Sequence, residues 1–235
     1  MRFDLRQTGE WSYYYSPEVE EEGVVHGFFT KESPSPVLQG EERKRFLRAF
    51  SFKDAIVLRQ EHGDTVHIVG NGDRPVSGDG LIIVERGLAG IIKTADCLPI
   101  IIADPGYPMV SIVHAGWRGT AKRIVQRAIR SMVGLGAKER RMVALLGPSI
   151  NVCCYQVGED VYREFQNAGF SEDVFSRSGG YFFLSLRRAN REILEREKVG
   201  KIGDADTCTF CNAGTFYSFR RGERENRQIN FVSLM

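Results

Sequence analysis

Three residues have the types and settings to do chemistry: His62, Cys97 and His114. Each ends an apolar run and enters a turn, in the phrases Gln60-Glu61-His62-Gly63, Thr94-Ala95-Asp96-Cys97 and Val113-His114-Ala115-Gly116-Trp117-Arg118-Gly119-Thr120. Two imidazoles and one thiolate make a three-ligand set for zinc, and an open fourth position separates a catalytic zinc from a structural one. A metal would deprotonate the thiol outright; without one, a cysteine at the end of an apolar strand is inert. Residue types alone leave a plainer reading open, in which the histidines are hydrogen-bonded structural groups and the cysteine belongs to the core. His67 starts a strand and reads as structural, while His26 lies on a strand that could face the site.

The stretch from His114 to Thr120 runs from a strand through a Gly-x-x-Gly turn into a helix. The free N–H groups of Gly119, Thr120 and the next residue would point at the turn, and the helix dipole adds positive potential. Arg118 adds a guanidinium able to grip phosphate through two donors. The expectation is an oxyanion site beside the metal; the competing reading is a tight turn with a solvent-facing Arg118. Arg220, Arg221, Arg224 and Arg227 crowd the C-terminal stretch, either as a solvated basic edge or as binders of an anionic substrate group. Cys208-Thr209-Phe210-Cys211 has a metal-type spacing, and Cys153 with Cys154 would complete four thiolates. Adjacent cysteines are poorly placed to share one tetrahedral ion, so these four are expected to be reduced structural thiols. The sequence has no Walker-type loop, no His-Glu-x-x-His, no dinucleotide Gly-x-Gly-x-x-Gly and no His-x-Glu with Pro-Cys-x-x-Cys.

Strands must bring these phrases together. Short β-branched runs bounded by Gly, Pro and Asp predict strands over 24–30, 55–60, 66–69, 81–85, 89–93, 99–103, 109–113 and 142–146, with two more near 215–219 and 229–232. Consecutive apolar residues such as Ile100-Ile101-Ile102 imply burial on both faces. Ala121, Ile124, Val125, Ala128, Ile129 and Met132 fall on one stripe and predict a helix over 120–132, with Gly134 as its stop. Two further helices are expected over 158–166 and 186–198. Residues 33–39 read as a Pro/Ser loop rather than a linker. Strands and helices mix without strict βαβ alternation. The predicted fold class is therefore α/β (α+β), a layered mixed β-sheet core flanked by helices, in one domain spanning 1–235.

The 235 residues suit one large domain, which can bury a core without metals or disulfides. A bound ion would then be there for chemistry. Hydrophobic residues at 42% and charged residues at 26% are ordinary for a soluble globular chain. A formal net charge of +2 is too small to argue for nucleic acid or an anionic membrane as partner. Five cysteines, an odd number, disfavour a disulfide framework in a domain of this size. Met1-Arg2-Phe3-Asp4-Leu5-Arg6 has no signal-type apolar stretch, and no run is long enough to span a bilayer. A cytoplasmic location is the expectation.

The motif phrases together resemble one family closely. Thr94-Ala95-Asp96-Cys97-Leu98-Pro99, His114-Ala115-Gly116-Trp117-Arg118-Gly119, Gly147-Pro148-Ser149-Ile150 and Cys153-Cys154-Tyr155-Gln156-Val157-Gly158 carry the likeness. Asp206-Thr207-Cys208 and Phe216-Tyr217-Ser218-Phe219-Arg220-Arg221 extend it to the C-terminus. They resemble the YfiH-like family, long labelled multicopper polyphenol oxidase or laccase-domain proteins and more recently assigned as zinc-dependent purine nucleoside phosphorylases. The resemblance implies a fold similar to the catalytic domain of cytotoxic necrotizing factor toxins. It implies one zinc ion on His62, Cys97 and His114, with copper less favoured. It also implies phosphorolysis of adenosine, inosine, guanosine and methylthioadenosine, with adenosine deamination. The partners are then a purine nucleoside and inorganic phosphate, and the chain a monomer or homodimer. On this expectation Arg118, Gly119 and Thr120 hold phosphate and His26 faces substrate. Cys97 and His114 serve catalysis, and an acid such as Asp79 or Asp96 helps the purine depart. The N-terminal part departs from the family pattern: Val25-His26-Gly27-Phe28-Phe29-Thr30-Lys31 has Lys31 where Arg is usual, and the Gly-Gly and Asn-Leu-Gly stretch is missing.

Counting histidines tests the copper label. A blue-copper site takes two His, one Cys and a weak axial Met, which His62, His114 and Cys97 satisfy in part. A laccase needs a trinuclear cluster fed by many more histidines, and only His26 and His67 remain. A second alternative is a metal-free Cys97–His114 nucleophile–base pair, including an editing role on cell-wall precursors. A third is a non-catalytic binding module with a degenerate site.

Overall fold

The structure, a computed structural model, describes residues 1–34, 39–70, 72–75 and 77–235. The N-terminal elements are β1 (Asp4–Thr8), β2 (Trp11–Tyr15), α1 (Pro17–Glu20), β3 (Val24–Phe29), α2 (Gly40–Ala49), β4 (Asp54–Val57), β5 (Val66–Val69) and β6 (Gly80–Ile83). The middle of the chain forms β7 (Leu88–Thr94), β8 (Leu98–Ala103), β9 (Val110–Ala115), α3 (Trp117–Ala121), α4 (Ile124–Gly134) and β10 (Val143–Leu146). There follow β11 (Gln156–Val157), α5 (Glu159–Asn167), β12 (Phe175–Ser178), β13 (Tyr181–Leu184), α6 (Leu186–Arg196), β14 (Lys201–Asp204) and β15 (Gln228–Leu234).

Two six-stranded sheets form, in the orders β1-β2-β3-β15-β7-β4 and β14-β10-β8-β9-β6-β5, with a small β11-β13-β12 sheet beside them. Both large sheets are mixed: β4 with β7, β5 with β6 and β10 with β14 run parallel, and the other pairs antiparallel. Side chains alternate between the faces of a strand, and this sorts the apolar residues into layers. Ile101 and Ile112 of the second sheet meet Phe28, Ile92 and Val232 of the first between the sheets. Ile100, Ile102 and Val113 point the other way, onto Ile124, Ile129 and Ile193 of α4 and α6. Phe231 and Ile91 line the outer face of the first sheet under an aromatic cover that includes Trp11, Phe46 and Phe50. The layering of helix, sheet, sheet and helix is the expected mixed core, and the three central isoleucines of β8 are buried from both sides.

Two predicted elements change form. The helix over 120–132 starts earlier, at Trp117, and breaks at Arg123, whose φ of 63° lies in the left-handed region. The Arg123 side chain stacks on Phe170 and donates to the carbonyl of Ala168, so tertiary contacts hold the break. The strand near 215–219 does not form. The N–H groups of Thr215 and Phe216 turn back to the carbonyl of Asn212, and Ser218 and Arg220 donate to Asp96. Residues 35–38 of the predicted Pro/Ser loop lie outside the described residues. No helix among the described residues is long and apolar enough to cross a membrane.

Candidate metal centre and its cleft

Strand pairing brings the three donors together. Cys97 sits in the turn from β7 to β8, and β8 pairs with β9 so that Pro99 faces His114 and Leu98 faces Ala115. His62 arrives from the turn after β4. Its ring lies edge-on to that of His114, with centroids 4.9 Å apart at 80°. One ligand atom from each of His62, Cys97 and His114 lies within 4.8 Å of the others. His114 is buried, Cys97 half-buried and His62 exposed, so the set opens to solvent on one side. Non-glycine residues with positive φ are strained, and such strain gathers at functional sites; His62 (φ 56°) and Asp96 (φ 87°) both have it. Gly116 lies beneath the donors, where a Cβ would stand 3.1 Å from Cys97 Sγ and 3.4 Å from His62 Cδ2.

Two buried carboxylates hold this geometry. Asp79 accepts Nδ1–H of His114 at 2.7 Å and the backbone N–H groups of Gly63 (2.7 Å), His62 (3.0 Å) and Glu61 (3.2 Å). Asp96 accepts from Thr209 Oγ1 (2.7 Å), Ser218 Oγ (3.0 Å) and the Arg220 N–H (2.7 Å). The sequence casts either one as the acid for the leaving group; in the structure both carboxylates are met by donors of the protein itself. Burial works to raise the pKa of Asp79, but the His114 imidazole and the ring of N–H donors hold it below the ordinary carboxylate range. Both oxygens of each carboxylate accept hydrogen bonds from the protein.

The thiol and its imidazole are tuned to each other. Burial opposes ionisation of Cys97, yet His114 and His62 bring its pKa down to about 6. Burial opposes the charge on His114 too, but the Cys97 sulfur and Asp79 raise it to about 9. This donor set fits zinc. It offers nitrogen and sulfur ligands, a thiol biased to the thiolate, and a histidine whose second nitrogen is fixed by a carboxylate.

The donors form the floor of a cleft of about 660 Å³. Its walls carry the cations Lys93, Arg118, Arg220, Arg224 and Arg227 and the aromatic residues Trp117, Tyr155 and Phe219. Arg118 is exposed and stacks on Trp117, with its guanidinium carbon 4.3 Å from the ring centre. Arg224 and Arg227 lie 5.8 and 5.7 Å from the Phe219 ring. Three of the four C-terminal arginines thus face the cleft. The fourth, Arg221, instead binds the carbonyls of Thr209, Phe210 and Phe216. Lys93, Tyr155 and Phe219 were missed as site residues, although Tyr155 and Phe219 lie within the motif phrases.

Two residues expected from the sequence to meet substrate, Thr120 and His26, are buried and hydrogen-bonded within the protein. Thr120 is fully buried, its N–H bonds to the carbonyl of Gly116 and its hydroxyl accepts from Asn190. The earlier start of α3 moves the first turn's N–H groups to Trp117, Arg118 and Gly119. Gly119 keeps its N–H in that first turn and is also tightly packed: a Cβ there would stand 2.7 Å from the carbonyl oxygen of Gly63. His26 is buried away from the cleft, its Nε2 accepting from the Ser16 N–H (3.0 Å) and its Nδ1 bonded to the carbonyl of Val24 (2.9 Å). His67 is structural as expected, bonded to the carbonyl of Ser77. Lys31 reaches Ala213 rather than the cleft.

Residues 21–235 match the model of the family described as multi-copper polyphenol oxidoreductase laccase. The chain is 39% identical over 191 residues to a purine nucleoside phosphorylase of Deinococcus radiodurans, covering 81% of this chain and 74% of that protein. It is 32% identical over 183 residues to adenosine deaminase RL5 from an unknown prokaryotic organism, covering 72% of this chain and 70% of that protein. The crystal structure of the hypothetical protein YfiH of Bacillus licheniformis superposes with a TM-score of 0.87 at 27% identity, over 99% of both chains. The matched span takes in all three donors and every wall of the cleft, and the chain belongs to this laccase-domain family, that of the YfiH-like proteins.

Proposed function

We propose that the chain is a zinc-dependent purine nucleoside phosphorylase. Its substrates are adenosine, inosine, guanosine and methylthioadenosine with inorganic phosphate, and adenosine deamination is a side activity. The observation that carries this reading is the joining of a two-histidine, one-cysteine donor set to a cationic and aromatic cleft large enough for a nucleoside. The names of the relatives from D. radiodurans and RL5 support the substrate class. Five free cysteines suit work in the cytoplasm.

His62, Cys97 and His114 would hold the zinc, which supplies Lewis acidity and a more acidic water when bound. Arg118 receives phosphate, with Trp117 holding its guanidinium in place. Phe219 offers a flat face to the purine, flanked by Arg224 and Arg227. A phosphate oxygen attacks the anomeric carbon of the ribose as the glycosidic carbon–nitrogen bond breaks, and the bonding pair leaves on the purine. Burial, with the Cys97 sulfur nearby, holds the Tyr155 phenol above its ordinary pKa. It therefore stays a neutral donor, able to hydrogen-bond the departing base.

The Asp79–His114–Cys97 arrangement also resembles a cysteine nucleophile with an oriented base. Metal dependence separates the two readings. Adenosine and phosphate with the purified protein should give adenine and ribose 1-phosphate, with the yield lost on omitting phosphate or adding a chelator and restored by zinc. Base release without phosphate, or full activity in metal-stripped protein, would refute the assignment. The copper oxidase reading lacks donors, because both histidines outside the centre are held in structural hydrogen bonds.

A further inference from the structure

We propose that Cys153, Cys154, Cys208 and Cys211 form a second metal site, a four-thiolate zinc centre separate from the cleft. The residues come from two turns, one after β10 and one after β14, and converge on one point. Their sulfurs all lie within 4.8 Å of one another. Cys153 is 3.7 Å from both Cys208 and Cys211, and Cys154 is 3.5 Å from Cys153 and 3.4 Å from Cys211. Four sulfurs around zinc, at about 2.3 Å each, span tetrahedral edges of about 3.8 Å. Adjacent cysteines were expected to be poorly placed to share an ion, but the turn at 151–155 brings both sulfurs to the same side.

Packing does not explain this gathering. Buried cysteines behave as small apolar side chains, but Cys153 and Cys211 are exposed and Cys154 half-buried. Cys208, the buried member, receives the N–H of Asn151 at 3.4 Å, a contact that suits a metal-bound sulfur. Zinc displaces the four thiol protons and leaves a centre of net charge minus two. Two guanidiniums brace the turn that carries Cys208 and Cys211, each also paired with a carboxylate, Arg187 with Asp204 and Arg221 with Glu223. Arg187 donates to the carbonyl of Thr207 (2.9 Å), and Arg221 donates to those of Thr209 (2.9 Å) and Phe210 (2.7 Å). The ion cross-links the turn that ends in Tyr155 to the turn that carries Thr209, the partner of Asp96, and so braces one wall of the cleft.

The test is a zinc count with cysteine mapping on protein purified under reducing conditions. Wild type should hold two ions per chain, and Cys97→Ser and Cys211→Ser one each. An alkylating reagent should leave Cys153 and Cys211 largely unmodified until a strong chelator is added, a readout that needs no variant to fold. A single ion lost in Cys97→Ser, with all four thiols alkylated equally fast before and after chelation, overturns the proposal. So do disulfides among the four in the reduced preparation. An ion here with none at His62, Cys97 and His114 would sink the phosphorylase reading and leave this one standing.

Discussion

One carboxylate sets both imidazoles of the candidate metal centre: Asp79 accepts the Nδ1–H of His114 at 2.7 Å and the backbone N–H of His62 at 3.0 Å. The first contact leaves Nε2 of His114 free to serve as a ligand. The second fixes the turn that presents His62. Outer partners of this kind are worth about 10- to 100-fold in metal affinity. Asp79→Asn keeps the shape but removes the charge, and its amide brings donors to a place that already holds four. Zinc affinity, read by competition with a chromophoric chelator, should fall by about that factor. Affinity equal to wild type would show that the histidines hold themselves.

Arg118 is the cation beside the donors that stacks on Trp117 and makes no ion pair among the described residues. A hydrogen bond to a charged group contributes about 1.5–3 kcal/mol. Arg118→Ala should therefore raise the apparent KM for phosphate roughly 10- to 100-fold and leave the KM for nucleoside much less changed. Arg221→Ala should act differently, through loss of the carbonyl contacts that shape the 209–216 turn, and lower the melting temperature. A phosphate KM that ignores Arg118 and answers to Arg224 or Arg227 would move the anion site to the Phe219 wall.

His26 gives the fold a pH dependence of its own. Burial pushes its imidazole down to about 4, and its two hydrogen bonds require the neutral ring. In the unfolded chain the ring titrates near its ordinary value of about 6.5. Between those values the unfolded state binds a proton that the folded state refuses, so stability falls as pH drops. The contribution is fully present above about pH 6.5 and shrinks toward pH 4, by about 3 kcal/mol at most. Denaturant midpoints at pH 7 and pH 4.5 should differ less in His26→Gln than in wild type. An equal loss in both would mean that His26 does not set the slope.

The donors were legible because each stands in an unusual phrase at the end of a strand, and strand pairing alone brings Cys97 to His114. The layers were legible from apolar runs such as Ile100-Ile101-Ile102, which are buried as their pattern demands. Side-chain bonding was not. Nothing in Asp96 announces that Thr209, Ser218 and Arg220 will fold back onto it and abolish a strand that alternation predicts. The gathering of the four thiols was hidden for a related reason: whether neighbouring cysteines point together depends on the turn that carries them. The aromatic cover of Trp11, Phe46 and Phe50 passed unnoticed because β1 and β2 are only five residues each and α2 is dominated by charged residues.

Gly119 and Gly116 divide the turn's work between packing and metal, and alanine at each should show it. At Gly119 the new Cβ meets a backbone oxygen, that of Gly63 at 2.7 Å, which no rotamer change relieves. The 61–63 turn must shift, and with it the Gly63 N–H on Asp79 and the His62 ring. Overpacking of this kind costs about 1–3 kcal/mol, so Gly119→Ala should lose thermal stability and zinc affinity together. At Gly116 the Cβ meets the Cys97 sulfur and the His62 ring edge at 3.1 and 3.4 Å, both side-chain atoms with some room to give. Gly116→Ala should weaken zinc binding with a smaller change in melting temperature. A phosphate cradle at Gly119 predicts a third pattern, a raised phosphate KM with zinc affinity and stability intact. Zinc titration, thermal melts and phosphate kinetics on the two variants decide among these patterns, and the third would place Gly119 in the phosphate site.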